Sequence, residues 1–424
     1  MPNSKDMVSN GARARPLKIL MIAPTSFFND YGGHIRILEE TRALQELGHE
    51  VLIVTYYKGN DVLGLQIQRT WPLPWRADYE VGSSRHKIAF DLYLTAKSIQ
   101  VGYQFRPDII HGHMHEGALI GSLVARLLRK PLVFDFQGSL TGEMVDHNFL
   151  NKSGHFFPWV RRLEEIIDRL PAIILTSSIQ AQKLLSQEFG VNENIIITLP
   201  DCVDANRFNP ANYSEEDREK LRQDLGIPPK RPIVVYLGLL TDYQGIPHLL
   251  QAAAFIKKQG NSIHFLVMGF PNVEYYQQMA EKLDVSDQVT FTGRISYVDA
   301  PRYLSLGDLA VSPKMSATEG SGKVLNYMAM GLPTIASDTP VHHEYLADLG
   351  IYLAPGDSTG LAETIARYFN NPNETSCLGR MLRQRAIDNY NWRKAGEIIS
   401  LIYERLLLKK EHLKRQVVDF DSFS

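Results

Sequence analysis

Lys18-Ile-Leu-Met-Ile-Ala23 and Val51-Leu-Ile-Val-Thr55 are two short apolar runs, separated by the loop Pro24–Gly33 and a helical pattern through Leu47. Gly48-His49-Glu50 ends that helix just before the second run. Strand, loop, helix and strand in this order form a βαβ unit, which requires parallel pairing and a right-handed crossover. The first part of the chain is therefore predicted to be an α/β domain with a parallel sheet.

Further apolar runs continue this pattern on both sides of a proline-containing segment. The first group is Asp108–Gly112, Leu132–Phe136 and Ile173–Thr176, and the second is Ile233–Gly238, Ile263–Gly269, Val289–Gly293, Leu309–Ser312 and Thr334–Ser337. Between the groups, the segment Leu199–Pro229 combines prolines with a charged helical stretch, which is typical of a linker. Since single cores rarely exceed roughly 250–300 residues, a chain of 424 residues is predicted to form two such domains.

Composition excludes several classes of protein. The chain is 44% hydrophobic and 22% charged, as in ordinary globular proteins, and its net charge of −2 gives no support for nucleic-acid binding. Its two cysteines, Cys202 and Cys377, are too few for a disulfide framework or a metal cluster and suit a reducing cytosol. No apolar run approaches the roughly 18–20 residues that span a bilayer, and residues 1–16 lack the apolar core of a secretory signal. We therefore expect a cytoplasmic protein.

The stretch Ser316-Ala-Thr-Glu-Gly-Ser-Gly-Lys-Val-Leu-Asn-Tyr-Met-Ala-Met-Gly-Leu-Pro333 is the strongest indication of a ligand site. A glycine-rich loop that carries Glu319 and Lys323 leads directly into a short apolar helix. Backbone N–H groups at a helix start are unpaired and carry partial positive charge, so they bind anions, above all a diphosphate. The alternative interpretation is an ordinary glycine-rich turn without a ligand.

Taken together, these segments resemble the retaining nucleotide-sugar glycosyltransferases of family 4, from about Leu17 to Leu407. The resemblance depends on the order and spacing of short motifs, which are Gly32-Gly33, Val203-Asp204 with Phe208-Asn-Pro210, Tyr236-Leu-Gly238, Val289–Arg294, Glu319–Pro333 and Tyr390-Asn-Trp392. It implies the GT-B fold, an α/β fold in which two Rossmann-like, doubly wound domains face each other across a cleft. In that family the second domain binds the nucleotide sugar, the first binds the acceptor, and no metal takes part.

The resemblance also predicts how the chain is divided. We expect a disordered leader at 1–16, an acceptor-binding domain at 17–205, a linker at 206–229, a nucleotide-sugar-binding domain at 230–391 and a flexible tail at 411–424. A last helix at about 392–410 would return to the first domain. The acceptor-binding domain would thus be built from both ends of the chain.

The donor-binding positions that the resemblance implies are partly altered in this chain. The family carries an arginine and a lysine after the first strand of the second domain, where this sequence has Leu239 and Gln244. The family's Glu-x7-Glu pair is matched only by Glu319, one residue out of place, and by Asn326. We expect Lys323 to replace the missing charge; the alternative is a solvated surface lysine. The implied donor-binding residues are Gly32, Gly33, Gly238, Arg294, Gly320, Ser321, Gly322, Lys323, Val324 and Asn326, with Glu319 and Lys323 as catalytic candidates.

The candidate acceptor site lies in the first domain, after the predicted strand Leu132–Phe136. Many family members have a histidine there, where this chain has Gln137. Glutamine can position a hydroxyl group but cannot shuttle a proton. Asp135 is the third catalytic candidate, and the acceptor-binding candidates are His113, Gln137 and His147.

Three alternating histidines, His111, His113 and His115, raise the question of a metal site. Alternate residues of a strand point to one face and could ligate zinc together. The composition offers no second cluster of ligands, however, and relatives commonly have a His-x-His pair here without metal. No metal site is therefore predicted.

The sequence thus predicts a metal-independent, retaining hexosyltransferase of polysaccharide or glycoconjugate biosynthesis. Its partners would be a UDP-, GDP- or ADP-hexose donor and a sugar, lipid-linked or polyol acceptor; the donor is a substrate, so no cofactor is expected. Peripheral contact with the inner face of a membrane is a further expectation, with Trp71–Trp75 and Arg85–Leu94 as mild candidates. Two alternatives remain, a catalytically degraded GT-B protein that serves as a binding or scaffold subunit, and a nucleotide-sugar epimerase.

Overall fold

The computed structural model describes residues 15–29, 32–72, 87–146, 149–315 and 321–421, which form two α/β domains. The first domain contains a seven-stranded parallel sheet in the order β3-β2-β1-β4-β5-β6-β7. Its strands are β1 (Lys18–Ala23), β2 (Glu50–Thr55), β3 (Gln66–Arg69), β4 (Ile109–His113), β5 (Leu132–Phe136), β6 (Ile173–Thr176) and β7 (Ile196–Thr198). The order reverses between β1 and β4, so a crevice forms at the carboxyl ends of these two strands.

Helices cover both faces of this sheet because its central strands are apolar on both sides. They are α1 (Gly32–Glu46), α2 (Lys87–Phe105), α3 (Met114–Leu128), α4 (Leu140–Asp146), α5 (Phe157–Ile167) and α6 (Ile179–Lys183), which continues as a π-helical turn, Leu184–Glu188. On one face, Ile19 and Met21 of β1 share a core with Leu44 of α1. On the other face, Leu20 and Ile22 pack with Val124 of α3.

The second domain has a six-stranded parallel sheet in the order β10-β9-β8-β11-β12-β13. Its strands are β8 (Ile233–Leu237), β9 (His264–Met268), β10 (Val289–Gly293), β11 (Leu309–Ser312), β12 (Thr334–Ser337) and β13 (Ile351–Leu353). Its helices are α8 (Ile246–Lys258), α9 (Val273–Lys282), α10 (Ala300–Leu304), α11 (Gly322–Ala329), α12 (Pro340–Leu346), α13 (Ser358–Phe369) and α14 (Pro372–Asn389), while α7 (Glu215–Asp224) belongs to the linker. Here the order reverses between β8 and β11, which places a second crevice opposite the first.

The chain passes between the domains twice, at one place. The N–H group of Val203 donates to the carbonyl oxygen of Tyr390 at 2.9 Å, and Val203 pairs with Asn391 in an isolated parallel bridge. After the second crossing, α15 (Trp392–Asp421) lies on α1, so closely that a β-carbon at Gly396 would be 2.9 Å from the β-carbon of Ala43. The helix continues beyond its predicted end at about 410 and completes one face of the first domain.

The predicted fold class is confirmed, because two parallel-sheet domains of the Rossmann type are present. The predicted leader falls largely on residues 1–14, which lie outside the described residues. Residues 411–421 of the predicted tail continue α15, and 422–424 lie outside the described residues; the domain boundaries stay predictions. Within the described residues, no helix combines the length and apolarity needed to cross a membrane.

Candidate active site

The second domain presents the start of α11 to the cleft. Ser321 is the N-cap residue, and the helix keeps only Gly322, Lys323 and Asn326 partly exposed, while its other five residues are buried. The predicted residues Gly322, Lys323 and Asn326 therefore share one open face. Val324 is fully buried, and its backbone N–H group donates to the carbonyl oxygen of Ser321 at 2.9 Å, so the ligand-facing groups of the first turn are those of Gly322 and Lys323. The first-turn N–H groups and this open face together suit an anion.

Lys323 extends from α11 to the end of β8. Its Nζ donates to Oε1 of Gln244 at 2.7 Å and to the hydroxyl of Tyr236 at 3.3 Å, and it lies 4.5 Å from the centre of the Tyr236 ring. A β-carbon at Gly238 would be 3.2 Å from the same Nζ, so glycine keeps the backbone close to the ammonium group. Lys323 thus places its charge against Gln244, the position from which the family's lysine extends.

A buried histidine holds Ser321 at the start of α11. Nδ1 of His342 lies 2.7 Å from the carbonyl oxygen of Ser337, which can only accept, so Nδ1 carries the proton. Nε2 therefore accepts from the hydroxyls of Ser312 at 3.1 Å and Ser321 at 3.2 Å. Burial lowers the pKa of His342 to about 4, which keeps the imidazole neutral near neutral pH. No sequence motif marked His342 as part of the site.

The first domain meets the cleft with Gly32 and Gly33, which begin α1. A β-carbon at Gly33 would meet Oε1 of Gln137, so glycine lets this side chain lie against the start of α1. Nε2 of Gln137 donates to Oδ2 of Asp135 at 2.8 Å. Gln137 is partly exposed, whereas Asp135 is fully buried. Of these two predicted residues, Gln137 is the one that can contact an acceptor directly.

Asp135 is the centre of a buried ionic network. Arg36 Nε donates to both carboxylate oxygens, at 2.9 and 3.1 Å, and Nδ1 of His113 lies 3.1 Å from Oδ2. Burial alone would raise the pKa of Asp135, but the charge of Arg36 and the hydrogen bond from His113 lower it well below its usual range. Asp135 is thus an ionised anchor for Arg36, His113 and Gln137. Its catalytic role stays a prediction.

Arg36 connects this network to the segment after β7, and sequence reasoning missed it. Its guanidinium contacts Glu40 at 3.1 Å and Asp201 at 2.9 Å, and Nη2 donates to the carbonyl oxygen of Leu199 at 3.1 Å. Oδ2 of Asp201 would lie 3.7 Å from a β-carbon at Gly322. Arg36 therefore acts through Asp201 on the surroundings of α11. The only sequence signal was the spacing of Arg36 and Glu40, an i, i+4 pair on one face of a helix.

Two polar contacts span the cleft. Nη2 of Arg294, a predicted donor-binding residue, donates to Oδ1 of Asn29 at 3.1 Å, next to the glycine pair of the first domain. On the other side, the carboxylate of Glu344 accepts from the backbone N–H of Ile179, at 3.0 and 3.2 Å from its two oxygens. The carboxyl edges of both sheets are thereby held close together around one cleft.

The three alternating histidines divide between two elements, because β4 ends at His113 and His115 lies in α3. Glu40, His111 and His113 form one group that could hold a metal ion, and His115, Glu164 and Asp168 form another. In the first group the two imidazoles stack with an interplanar angle of 14°, so their in-plane lone pairs run nearly parallel instead of converging. Nδ1 of His111 bonds the hydroxyl of Tyr403 at 2.6 Å, which ties α15 to the sheet. Through Nδ1, His111 and His113 are thus hydrogen-bonded to Tyr403 and Asp135, and the absence of a metal site stays a prediction.

Three of the predicted site residues, Glu319, Gly320 and His147, lie outside the described residues. Their roles stay predictions, as do the individual roles of the residues described above. What the structure brings together is the start of α11 with Gly238 on one side of the cleft, and Gly33, Gln137 and Asp135 on the other.

Two parallel-sheet domains facing across one cleft, with the open start of a helix on one side and a polar network on the other, are the architecture of GT-B glycosyltransferases. Family profiles agree with this class. The profile described as "Glycosyltransferase Family 4" matches residues 32–207, and "Glycosyl transferases group 1" matches residues 217–389. The chain belongs to glycosyltransferase family 4, and it is a hexosyltransferase that uses a nucleotide-sugar donor.

Individual relatives are similar over most of the chain. The 2-deoxystreptamine glucosyltransferase of Streptomyces kanamyceticus is 24% identical over 391 residues, which cover 89% of this chain and 99% of the relative. Among solved structures, sucrose-phosphate synthase of Thermosynechococcus elongatus has a TM-score of 0.78 at 19% identity, covering 93% of this chain and 100% of the other. HepE of Anabaena with UDP and glucose has a TM-score of 0.75 at 17% identity, covering 92% and 99%. These structures share the fold.

Proposed function

We propose that the protein moves a hexose from a nucleoside diphosphate sugar to an acceptor on the first domain, with retention of anomeric configuration and without a metal ion. The observation that carries the proposal is the position of Lys323, whose Nζ lies beside Gln244 and Gly238 at the open face of α11. A diphosphate there would meet helix N–H groups and an ammonium charge together. Membership of a retaining family supports the stereochemistry.

The reaction would depend on stabilising the departing diphosphate. As the bond between the anomeric carbon and the diphosphate oxygen breaks, negative charge grows on that oxygen, next to Lys323 and the start of α11. Donors fixed in advance at such a position are usually the largest electrostatic contribution to catalysis. The acceptor hydroxyl would attack the anomeric carbon from the face that the diphosphate leaves, and its proton would pass to the departing diphosphate. Gln137 and the glycine pair Gly32-Gly33 would orient the acceptor, and this positioning would supply the remaining rate enhancement.

The acceptor is proposed to be a carbohydrate or a lipid-linked molecule, and the protein is proposed to contact a membrane peripherally. Several relatives have names that specify lipid products, among them the alpha-monoglucosyldiacylglycerol synthase of Streptococcus pneumoniae, 24% identical over 257 residues. A GDP-mannose-dependent phosphatidylinositol monomannoside mannosyltransferase of Mycolicibacterium smegmatis is 28% identical over 207 residues. The base of the donor is proposed to be uracil, guanine or adenine.

Binding and product analysis test this proposal in two stages. Thermal unfolding with UDP, GDP or ADP should show a raised melting temperature for one of the three, since a ligand that binds only the folded state stabilises it. The corresponding sugar donor, supplied with simple glycoside acceptors and EDTA, should then give a product whose anomeric configuration by NMR equals that of the donor. Inversion of configuration, or activity that EDTA abolishes, would contradict the proposal.

The alternatives give different results in the same experiments. A binding or scaffold subunit would show no stabilisation by any of the three nucleotides and no transfer. An epimerase would convert the sugar of the nucleotide donor in the absence of acceptor, which NMR of the recovered donor would reveal.

A further inference from the structure

Exposed apolar side chains are concentrated on one layer of the first domain, formed by α2, α3 and α5. Of the 23 large apolar side chains that are exposed in the described residues, nine lie on these three helices and two more, Phe156 and Leu170, flank α5, so this layer departs from the scattered exposure usual on a monomer. The three helices cover the same face of the sheet, since α2 and α3 share one core and α3 packs against α5. Their outer sides are turned away from the sheet.

The exposed stripe on α5 has the pattern of a helix that is apolar on its outer side. Trp159, Leu163 and Ile166 follow each other at intervals of four and three residues, with exposed fractions of 77%, 44% and 48%, and Leu170 in the turn after the helix is 42% exposed. Leu119, Leu123 and Leu127 repeat this pattern on α3, each more than 40% exposed. Neither stripe is needed for the core, because Ile167 and Val124 fill the inner sides of the same helices.

Positive charge accompanies the two stripes. Arg126 follows Leu123 by three residues and Arg162 follows Trp159 by three, so each arginine lies next to its stripe, and both are exposed. Arg129, at the end of α3, and Arg169, just after α5, add two more exposed basic residues. Glu164 is fully buried, and Glu165 accepts from Arg162 at 2.8 Å, so this pair is neutral and the net positive charge comes from Arg126, Arg129 and Arg169. Apolar stripes flanked by arginine and headed by tryptophan are typical of helices that lie in a lipid headgroup region.

The aromatic end of the α5 stripe lies on the cleft side of the domain. Glu164 accepts from the N–H groups of Leu140 and Thr141, which follow β5 directly. The part of α5 before Glu164 therefore extends beyond the carboxyl edge of the sheet, the edge at which the cleft opens. Phe156 and Trp159, each 77% exposed, belong to that part.

We propose that the outer faces of α2, α3 and α5 dock on an anionic phospholipid bilayer, with Trp159 and Phe156 in the headgroup region beside the cleft. The inference rests on the proposed function in one respect, since it assigns the acceptor to the lipid-linked class and brings it to the cleft along the membrane surface. Ile88 and Leu92 of α2, 73% and 66% exposed, belong to the segment Arg85–Leu94 that the sequence marked as a mild candidate. The other candidate, Trp71–Trp75, lies mostly outside the described residues.

Vesicle co-sedimentation of the full chain tests the surface. Vesicles of phosphatidylcholine mixed with phosphatidylglycerol should bind the protein, while phosphatidylcholine alone should bind it at least about tenfold more weakly, because each nearby basic residue adds roughly fivefold on an anionic surface. Phe156→Ser with Trp159→Ser should weaken binding by about tenfold or more, given the apolar area that the two rings would remove from water. The matched control is Phe255→Ser with Tyr275→Ser, a pair of exposed aromatic residues on the second domain.

A charge variant separates the electrostatic contribution from the apolar one. Arg126→Glu with Arg162→Glu should abolish the preference for phosphatidylglycerol and leave the thermal shift with nucleotide unchanged. Equal binding by the wild type and the Phe156/Trp159 variant would overturn the inference. Absence of vesicle binding by the wild type would overturn it as well. A dimer in light scattering that the Phe156/Trp159 variant converts to a monomer would then identify the surface as an interface between two copies of the chain. Because nucleotide binding is measured without vesicles, failure of the membrane surface remains distinguishable from failure of the proposed function.

Discussion

Removal of the Lys323 ammonium group is the most direct test of how this chain binds a diphosphate without the family's usual basic pair. Gln244 and Tyr236 hold Nζ in place through contacts of 2.7 and 3.3 Å, so little conformational freedom is lost when a ligand arrives. Two unit charges about 4 Å apart interact by about 4 kcal/mol at an effective dielectric constant of about 20. A net hydrogen bond to a charged group contributes about 1.5–3 kcal/mol. At about 1.4 kcal/mol for each factor of ten, these energies of about 1.5–4 kcal/mol predict that Lys323→Ala lowers kcat/KM by roughly 10- to 700-fold.

The assay is release of nucleoside diphosphate at varied donor concentration, with urea unfolding as the check on stability. Because Lys323 is only half-buried, its removal should change the free energy of unfolding by less than about 1 kcal/mol. Lys258→Ala, an exposed lysine on α8, is the matched control and should leave kcat/KM unchanged. The double variant Lys323→Gln/Gln244→Lys exchanges the donor and the acceptor of this hydrogen bond and should restore much of the activity that Lys323→Ala loses. A Lys323→Ala enzyme within threefold of the wild type would refute the reasoning.

Three further predictions concern the network, the buried imidazole and the first-domain core. Arg36→Met should destabilise the protein by about 3–5 kcal/mol in urea unfolding, because it leaves buried carboxylates without their cation. The control, Arg393→Met at an exposed position, should cost less than about 0.5 kcal/mol. Similar losses in both variants would contradict a stabilising role of the Arg36 network. His342→Asn should weaken nucleotide binding by about three- to tenfold in calorimetry, the equivalent of roughly one hydrogen bond. In the wild type, nucleotide binding should show no titration of His342 between pH 6 and 9, since the pKa of this residue is lowered to about 4. Burial raises the pKa of Asp91, which bonds Tyr56, to about 7. The contribution of Asp91 to stability is therefore present below the unfolded-state pKa and lost as pH rises through about 7, because the buried carboxyl group must then ionise. Since asparagine stays neutral, Asp91→Asn should raise the free energy of unfolding by about 2–4 kcal/mol at pH 8 and by almost nothing at pH 4. A difference that does not vary with pH would exclude this origin.

The fold could be predicted from the sequence because its central strands are short apolar runs in fixed alternation with helices. The runs at Leu132–Phe136 and Leu309–Ser312 are strands with the predicted bounds. The three strands that were missed, β3, β7 and β13, all lie at sheet edges, where one side of a strand has no neighbour to select apolar residues. In Gln66–Arg69 polar residues alternate with one isoleucine, so no apolar run marked it.

The site was predictable only where a backbone feature is written in the sequence. Glycines at 33 and 238 and the glycine-rich start of α11 marked the places where backbone approaches a neighbour or a ligand. The charged residues that support these places come from distant segments, and their pairing depends on tertiary contacts. Arg36 reaches Asp201 across 165 positions of sequence, and His342 reaches Ser321 from a different helix. No local pattern encodes such pairs.

The side-by-side crossings at Val203 and Asn391 have a consequence for how the halves of the enzyme can be separated or moved. Both covalent connections pass through one spot, so reorientation of either half amounts to rotation about a single pivot. The final helix lies past that pivot and seals the acceptor half, with Tyr403 against His111 and Ser400 against His49. Trimming the carboxyl terminus would therefore damage the amino-terminal half first, and that half, unlike the second, cannot be excised as an uninterrupted stretch of chain.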